Sequence, residues 1–148
     1  MYELHMRARC AITTDLLFQV WGGVATLTTT TRNFRQLQQL ESLMHHTTLP
    51  ATVSDAMVIT REMGVRYLWA DCLSIIQDSF TKHEDIKHMD IIYSQAELTI
   101  VAVNGENASS GLPGVRQGTR HQKHISHHDN PPWRYRLLSD TTYNSRGW

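Results

Sequence analysis

A carboxylate, a thiol and a hydroxyl lie close together at Asp71, Cys72 and Ser74, just behind Tyr67, Leu68 and Trp69, whose bulk suits a strand covered on both faces. In open parallel sheets, side chains leaving the strand ends meet the N-termini of the following helices, and ligands usually bind at that edge. The stretch from Val65 to Asp78 is therefore the first candidate site. Asp71 could stabilise developing positive charge; its structural alternative is to bond backbone N–H groups of the next loop. Cys72 as a nucleophile needs a base and an electropositive setting, and the sequence places neither His83 nor His88 beside it. A buried, inert cysteine is the commoner state.

Other groups are weaker candidates. Trp21, Gly22 and Gly23 close a short apolar run, where glycines permit a sharp turn or a close approach to a ligand. They do not make a dinucleotide phosphate loop, which needs a third glycine and an acidic residue about 20 positions on. Glu84 and Asp85 fall in the first turn of an expected helix, where the dipole stabilises acids without any catalytic role. His45 and His46 suit a helix end facing water. His121, His124, His127 and His128 suggest a metal, but no Cys or carboxylate pattern of known ligand spacing accompanies them. No metal and no bound cofactor is assigned.

The elements that must position these groups follow from periodicity. Residues 1–15 show no clean period and form an irregular lead-in. Leu16 to Trp21 reads as a buried first strand ended by the glycines. The threonines Thr28 to Thr31 make a surface loop. Asn33 precedes Gln36 at capping-box spacing, and Phe34, Leu37, Leu40 and Met44 continue a helix to about His45. Thr52 and Asp55 repeat that spacing before a helix with an apolar face of Val53, Ala56, Met57, Thr60 and Met63, ended by Gly64. The strand from Arg66 to Asp71 follows at once, the αβ half of a parallel crossover. Thr81 and Glu84 start another helix through Ile86, Met89, Ile92 and Tyr93. Glu97 to Val103 is β-branched and alternating, a third strand ending at Asn104 and Gly105. The fold class is thus α/β, and a parallel sheet delivers Trp21, Asp71 and Asn104 to one edge. A long loop rich in Ser, Gly, His and Pro occupies 104–132, and Trp133 to Leu138 is a candidate last strand.

Composition narrows the partners. The 148 residues are 41% hydrophobic, enough for one core without disulfides. Fourteen Lys and Arg balance fourteen Asp and Glu, so no long-range field draws the chain to nucleic acid or to an anionic membrane. No apolar run approaches the roughly 18 residues of a membrane span, and Cys10 and Cys72 lack metal or disulfide spacing. Cytoplasmic residence is the expectation.

Several blocks in order resemble one family. Val20-Trp21-Gly22-Gly23, Leu49-Pro50 with Thr52 and Asp55-Ala56, Arg66-Tyr67-Leu68-Trp69 with Asp71, and Ile75-Ile76-Gln77-Asp78 are similar to the fungal heterokaryon incompatibility (HET) domain. Met89 with Ile92-Tyr93 and Ala96, Leu98-Thr99-Ile100, Gly111-Leu112 and Ser145-Arg146-Gly147-Trp148 continue the resemblance, which covers roughly Val20 to Trp148; with the first strand the domain is set at 16–148. The resemblance implies a TIR-like, flavodoxin-like parallel sheet flanked by helices, and a role in nonself recognition that ends in programmed cell death. Some TIR domains cleave NAD with a glutamate, whereas others assemble partners.

Two functions follow from that divergence. One is a signalling module that self-associates or binds a protein partner. The other is a hydrolase for which NAD is substrate, with Asp71 or Glu84 supporting oxocarbenium-like charge. Its pocket would draw on Trp21, Gly22, Gly23, Cys72, Ser74, Asp78 and Asn104. Departures from the family bear on the choice. Leu17-Phe18-Gln19 stands where the family has a serine-containing block, thiol and hydroxyl trade places in Asp71-Cys72-Leu73-Ser74, and Lys82 and Asp85 replace a Trp and a Glu. The Gln-Glu expected after Trp148 lies beyond the chain end, so a truncated copy is expected, inactive as a hydrolase if the chemistry needs that Glu or the missing Ser.

Overall fold

In the computed structural model, which describes residues 14–19, 21–44, 46–103 and 105–119, strand β1 (Thr14–Phe18) is central. Asp15, Leu16 and Leu17 on it are almost wholly buried, as expected of a strand covered on both faces. Strand β2 (Tyr67–Ala70) and strand β3 (Leu98–Val101) flank it in the order β2-β1-β3. Both pairings are parallel: Leu16 stands opposite Trp69 and Thr99, and Leu17 opposite Ala70 and Ile100. That is the order in which flavodoxin-like sheets begin, with the topological switch between β1 and β3. The expected α/β class with a parallel sheet is therefore correct. The first strand starts earlier than its sequence suggests, taking in Thr14 and Asp15, and stops at Phe18 rather than Trp21.

Alternation along β1 sorts the two faces. Leu17 joins a core with Val53 and Ala56 of helix α2 (Ala51–Glu62). On the opposite face Phe18 meets Tyr93 of helix α5 (Met89–Gln95) edge to face, ring centres 6.4 Å apart. Helices thus cover both faces of the sheet. Helix α2 ends as expected at Gly64, whose φ is 77°. Gly64 N–H donates to Arg61 C=O and Val65 N–H to Thr60 C=O, each at 3.0 Å, a Schellman closure that only a left-handed residue completes. Met63, expected on the apolar face, is instead exposed.

The other helices are shorter than their periodicity suggests. Helix α1 covers only Phe34–Leu37. Glu41 turns to φ 63° and Ser42 Oγ donates to Leu37 C=O at 2.8 Å, so the chain departs from helix and leaves Leu40 and Met44 in solvent. Helix α3 (Asp71–Ser74) follows β2 directly. The helix expected after Thr81 is broken at His88 into α4 (Lys82–Lys87) and α5. None of the expected capping-box side chains closes a helix end. His45, Asn104, the histidines from His121 onward and the candidate strand Trp133 to Leu138 lie outside the described residues. Among the described residues, no helix is long and apolar enough to cross a membrane.

Candidate functional site

Because the strands run parallel, β1 and β2 release their chains at the same edge. Trp21 follows β1 and Asp71 opens α3, and the two meet: the Trp21 indole Nε1–H donates to Asp71 Oδ2 at 2.9 Å. The other carboxylate oxygen, Oδ1, accepts from the Cys72 backbone N–H at 2.7 Å. Asp71 is half-buried. Burial pushes its carboxyl above the usual range, while those two hydrogen bonds and the Lys82 charge pull it back. Burial likewise raises Tyr93, with the Asp71 charge adding to the effect. Asp71, Trp21, Tyr93 and Lys82 therefore form one electrostatic neighbourhood at the C-terminal edge of the sheet.

Cys72 faces inward. It is 1% exposed, and its thiol is pushed up to about 12, first by burial and then by the Asp71 charge. Gln19 Nε2 lies 3.7 Å from its sulfur. Such a thiol is not a nucleophile at neutral pH. Ser74 turns back on its own strand, its hydroxyl accepting the Ala70 N–H at 3.2 Å. Glu84 is exposed on α4 and paired with Lys87 at 2.7 Å, an i,i+3 helix pair of small energetic weight. Asp78 is exposed and clamps Thr31, accepting from its N–H at 2.7 Å and its hydroxyl at 2.9 Å. The bonds from Thr31, with the Arg32 charge, hold the Asp78 carboxyl below the usual range. The structure thus joins Trp21, Asp71 and Cys72, and ties Ser74, Asp78 and Glu84 into separate local roles.

Gly22 and Gly23 both adopt left-handed φ, 66° and 68°, but for different reasons. A Cβ on Gly22 would stand 2.4 Å from the Asn107 Cβ and 2.5 Å from the Glu106 carbonyl oxygen, whereas one on Gly23 would meet nothing within 4 Å. Gly22 is thus the close-approach glycine, and what approaches is the chain's own loop.

Some residues that shape the site carry little signal in the sequence. Thr29, expected in a surface loop, is fully buried. Its N–H donates to Cys72 C=O at 2.9 Å, its hydroxyl to Leu73 C=O at 2.7 Å, and its own carbonyl accepts the Gln77 N–H at 2.8 Å. Thr29 fastens the segment after Asp71 from the side. Gln77 adds a bond from Nε2 to the Asp71 carbonyl at 3.0 Å. A run of threonines does not reveal which of them turns inward. Thr52 and Asp55 fit a cap at the sequence level, yet Pro50 occupies the N-cap position, and both side chains reach the loop after β3. Among the described residues, no group of acidic, His and Cys side chains could hold a metal ion.

The heterokaryon incompatibility protein (HET) family matches residues 17–148. No curated protein and no solved structure matches the chain. The match covers most of the sequence, including every element after β1, and the chain belongs to the heterokaryon incompatibility (HET) family.

Proposed function

We propose that the chain is a cytoplasmic module of fungal nonself recognition that promotes programmed cell death by assembling with further copies of itself or with a protein partner. The observation that supports assembly over chemistry is the state of the Asp71 carboxylate, both of whose oxygens are engaged by Trp21 and Cys72. The carboxylate acts as a joint between the exits of β1 and β2. It fixes the turn Trp21–Gly23, in which Trp21 is half-buried and both glycines are exposed. A rigid, partly apolar turn of this kind suits contact with another protein, where Trp is a frequent anchor. Glu84 and Cys72, the other groups suited to chemistry, are ion-paired and buried respectively.

The test pairs function with folding. In the full-length protein, Asp71→Asn should abolish death induction while the purified chain keeps its cooperative melt. An amide presents a single acceptor oxygen, so it cannot accept at both of the separate positions where Trp21 and Cys72 now donate. Death induction unchanged in the folded variant would overturn the proposal.

One observation favours a second function. Asp71 is a half-buried carboxylate with a raised pKa at the C-terminal edge of a parallel sheet, where a hydrolase would place a group that supports positive charge. NAD would then be a substrate, bound beside Trp21, and no resident cofactor is needed.

A further inference from the structure

The segment that leaves β3 crosses the same sheet edge and ends on helix α2. Its first contact is with the turn after β1: Ala108 N–H points to the Trp21 carbonyl at 3.4 Å, and Glu106 and Asn107 press against Gly22 so closely that no Cβ fits between them. The next contacts are on α2. Ala108 C=O accepts the Thr52 N–H at 3.1 Å. Gly111 N–H donates to Thr52 Oγ1 at 3.1 Å, and Leu112 N–H to Asp55 Oδ2 at 2.7 Å. Arg116 closes the set, its Nε 3.2 Å from the Asp55 carboxylate.

The Asp55 side chain is 4% exposed and its cation partner 50% exposed. Burying a carboxylate without partners is costly, and Asp55 meets Leu112 N–H and Arg116 in this loop, so Asp55 requires the loop as much as the loop requires Asp55. Gly111 makes the meeting possible, since its φ is 76° and a Cβ there would collide with the Arg116 guanidinium and the Asp55 carboxylate. Ala108 and Leu112 are buried beneath the crossing. Residues 105–116 are therefore a strap seated on α2 at one end and on the backbone of Trp21 and Gly22 at the other.

We infer that Asp55 is a positioning residue for the Trp21–Asp71 pair: by clasping the strap through Leu112 and Arg116 it holds Trp21 where the indole reaches the carboxylate. The inference rests on the proposed importance of that pair, but its physical content is separate from it. Opening the clasp should release the indole before it disturbs the sheet, because the clasp bonds join the strap to α2 and Trp21, whereas β1 keeps its own pairing with β2 and β3.

The test is hydrogen exchange of the Trp21 indole N–H in the 148-residue chain, with the resonance identified by its loss in Trp21→Phe. Arg116→Gln removes the charge of an exposed partner and keeps the fold; Asp55→Asn removes the buried charge. Either should speed indole exchange by about tenfold or more, the effect of losing one well-placed bond, while the Leu16 and Leu17 amides on β1 exchange as before. Should Asp55→Asn fail to fold, Arg116→Gln alone decides. Unchanged indole exchange overturns the inference, and so does a parallel rise in the β1 amides, which would make Asp55 a general stabiliser. If the indole is released yet death induction persists in both strap variants and in Asp71→Asn, the strap stands and the proposed role of the Trp21–Asp71 pair falls.

Discussion

The Trp21 indole and the Asp71 carboxylate join at 2.9 Å across a sequence separation of 50 residues. One residue comes from the exit of the central strand, the other from the exit of its neighbour, so the bond can form only when β1 and β2 are parallel and in register. It is at once a report on the fold and the joint of the candidate site.

Removing the indole tests the joint. Trp21→Phe keeps the apolar contact and deletes the donor, and should lower stability by about 2 kcal/mol, the scale of a hydrogen bond to a charged group. The same bond holds the Asp71 carboxyl down, so in Trp21→Phe that carboxyl should titrate at higher pH. Chemical denaturation and a carboxyl NMR titration read the two effects, and a titration that moves the other way would break the assignment.

The adjacent glycines separate backbone strain from close contact. Gly23→Ala should cost about 1–2 kcal/mol, the penalty of a left-handed alanine, because a Cβ meets nothing there. Gly22→Ala should cost distinctly more, since the Cβ also drives into Asn107 and the Glu106 carbonyl. Equal melting temperatures for the two variants would mean that the strap does not rest on Gly22.

The sequence carries the α/β class and the delivery of Trp21 and Asp71 to one sheet edge because both depend on strong local signals; the bond between the two side chains is not legible in it. Apolar runs mark β1 and β2, and Gly64 with its left-handed turn links α2 to β2. Less legible is everything decided by long-range partners. Asn33 has the spacing of a cap, yet its side chain bonds back to Thr28 and Thr30. Thr52 and Asp55 have the same spacing and instead receive the strap. Short polar side chains satisfy whichever backbone group is near, and nearness is set by the whole fold. Leu40 and Met44 fit a helical period, but a left-handed Glu41 ends the periodicity that would have buried them.

Asp15 gives the domain a pH dependence. It lies fully buried on β1, and neither carboxylate oxygen has a hydrogen-bond partner. Burial lifts its carboxyl above the ordinary value; the nearby Thr60 hydroxyl opposes the lift without making a hydrogen bond in this structure, and Glu97 adds to it. With the folded pKa above the unfolded one, the stabilising contribution is complete below the unfolded value, about 3.9, and is lost as pH rises through the folded pKa. Asp71, raised in the same direction, adds a slope of the same sign. Asp15→Asn should therefore melt higher than the parent at pH 7 and lose part of the fall in stability between acid and neutral pH. Denaturation curves at several pH values read this, and an unchanged slope would assign the dependence elsewhere.

Assembly and hydrolysis are separated most directly by following NAD in the presence of the purified 148-residue chain, with Asp71→Asn as its partner sample. An assembly module whose Asp71 is a joint leaves NAD intact in both samples. Consumption by the parent chain that stops in a folded Asp71→Asn variant would contradict it and make Asp71 a catalytic carboxylate.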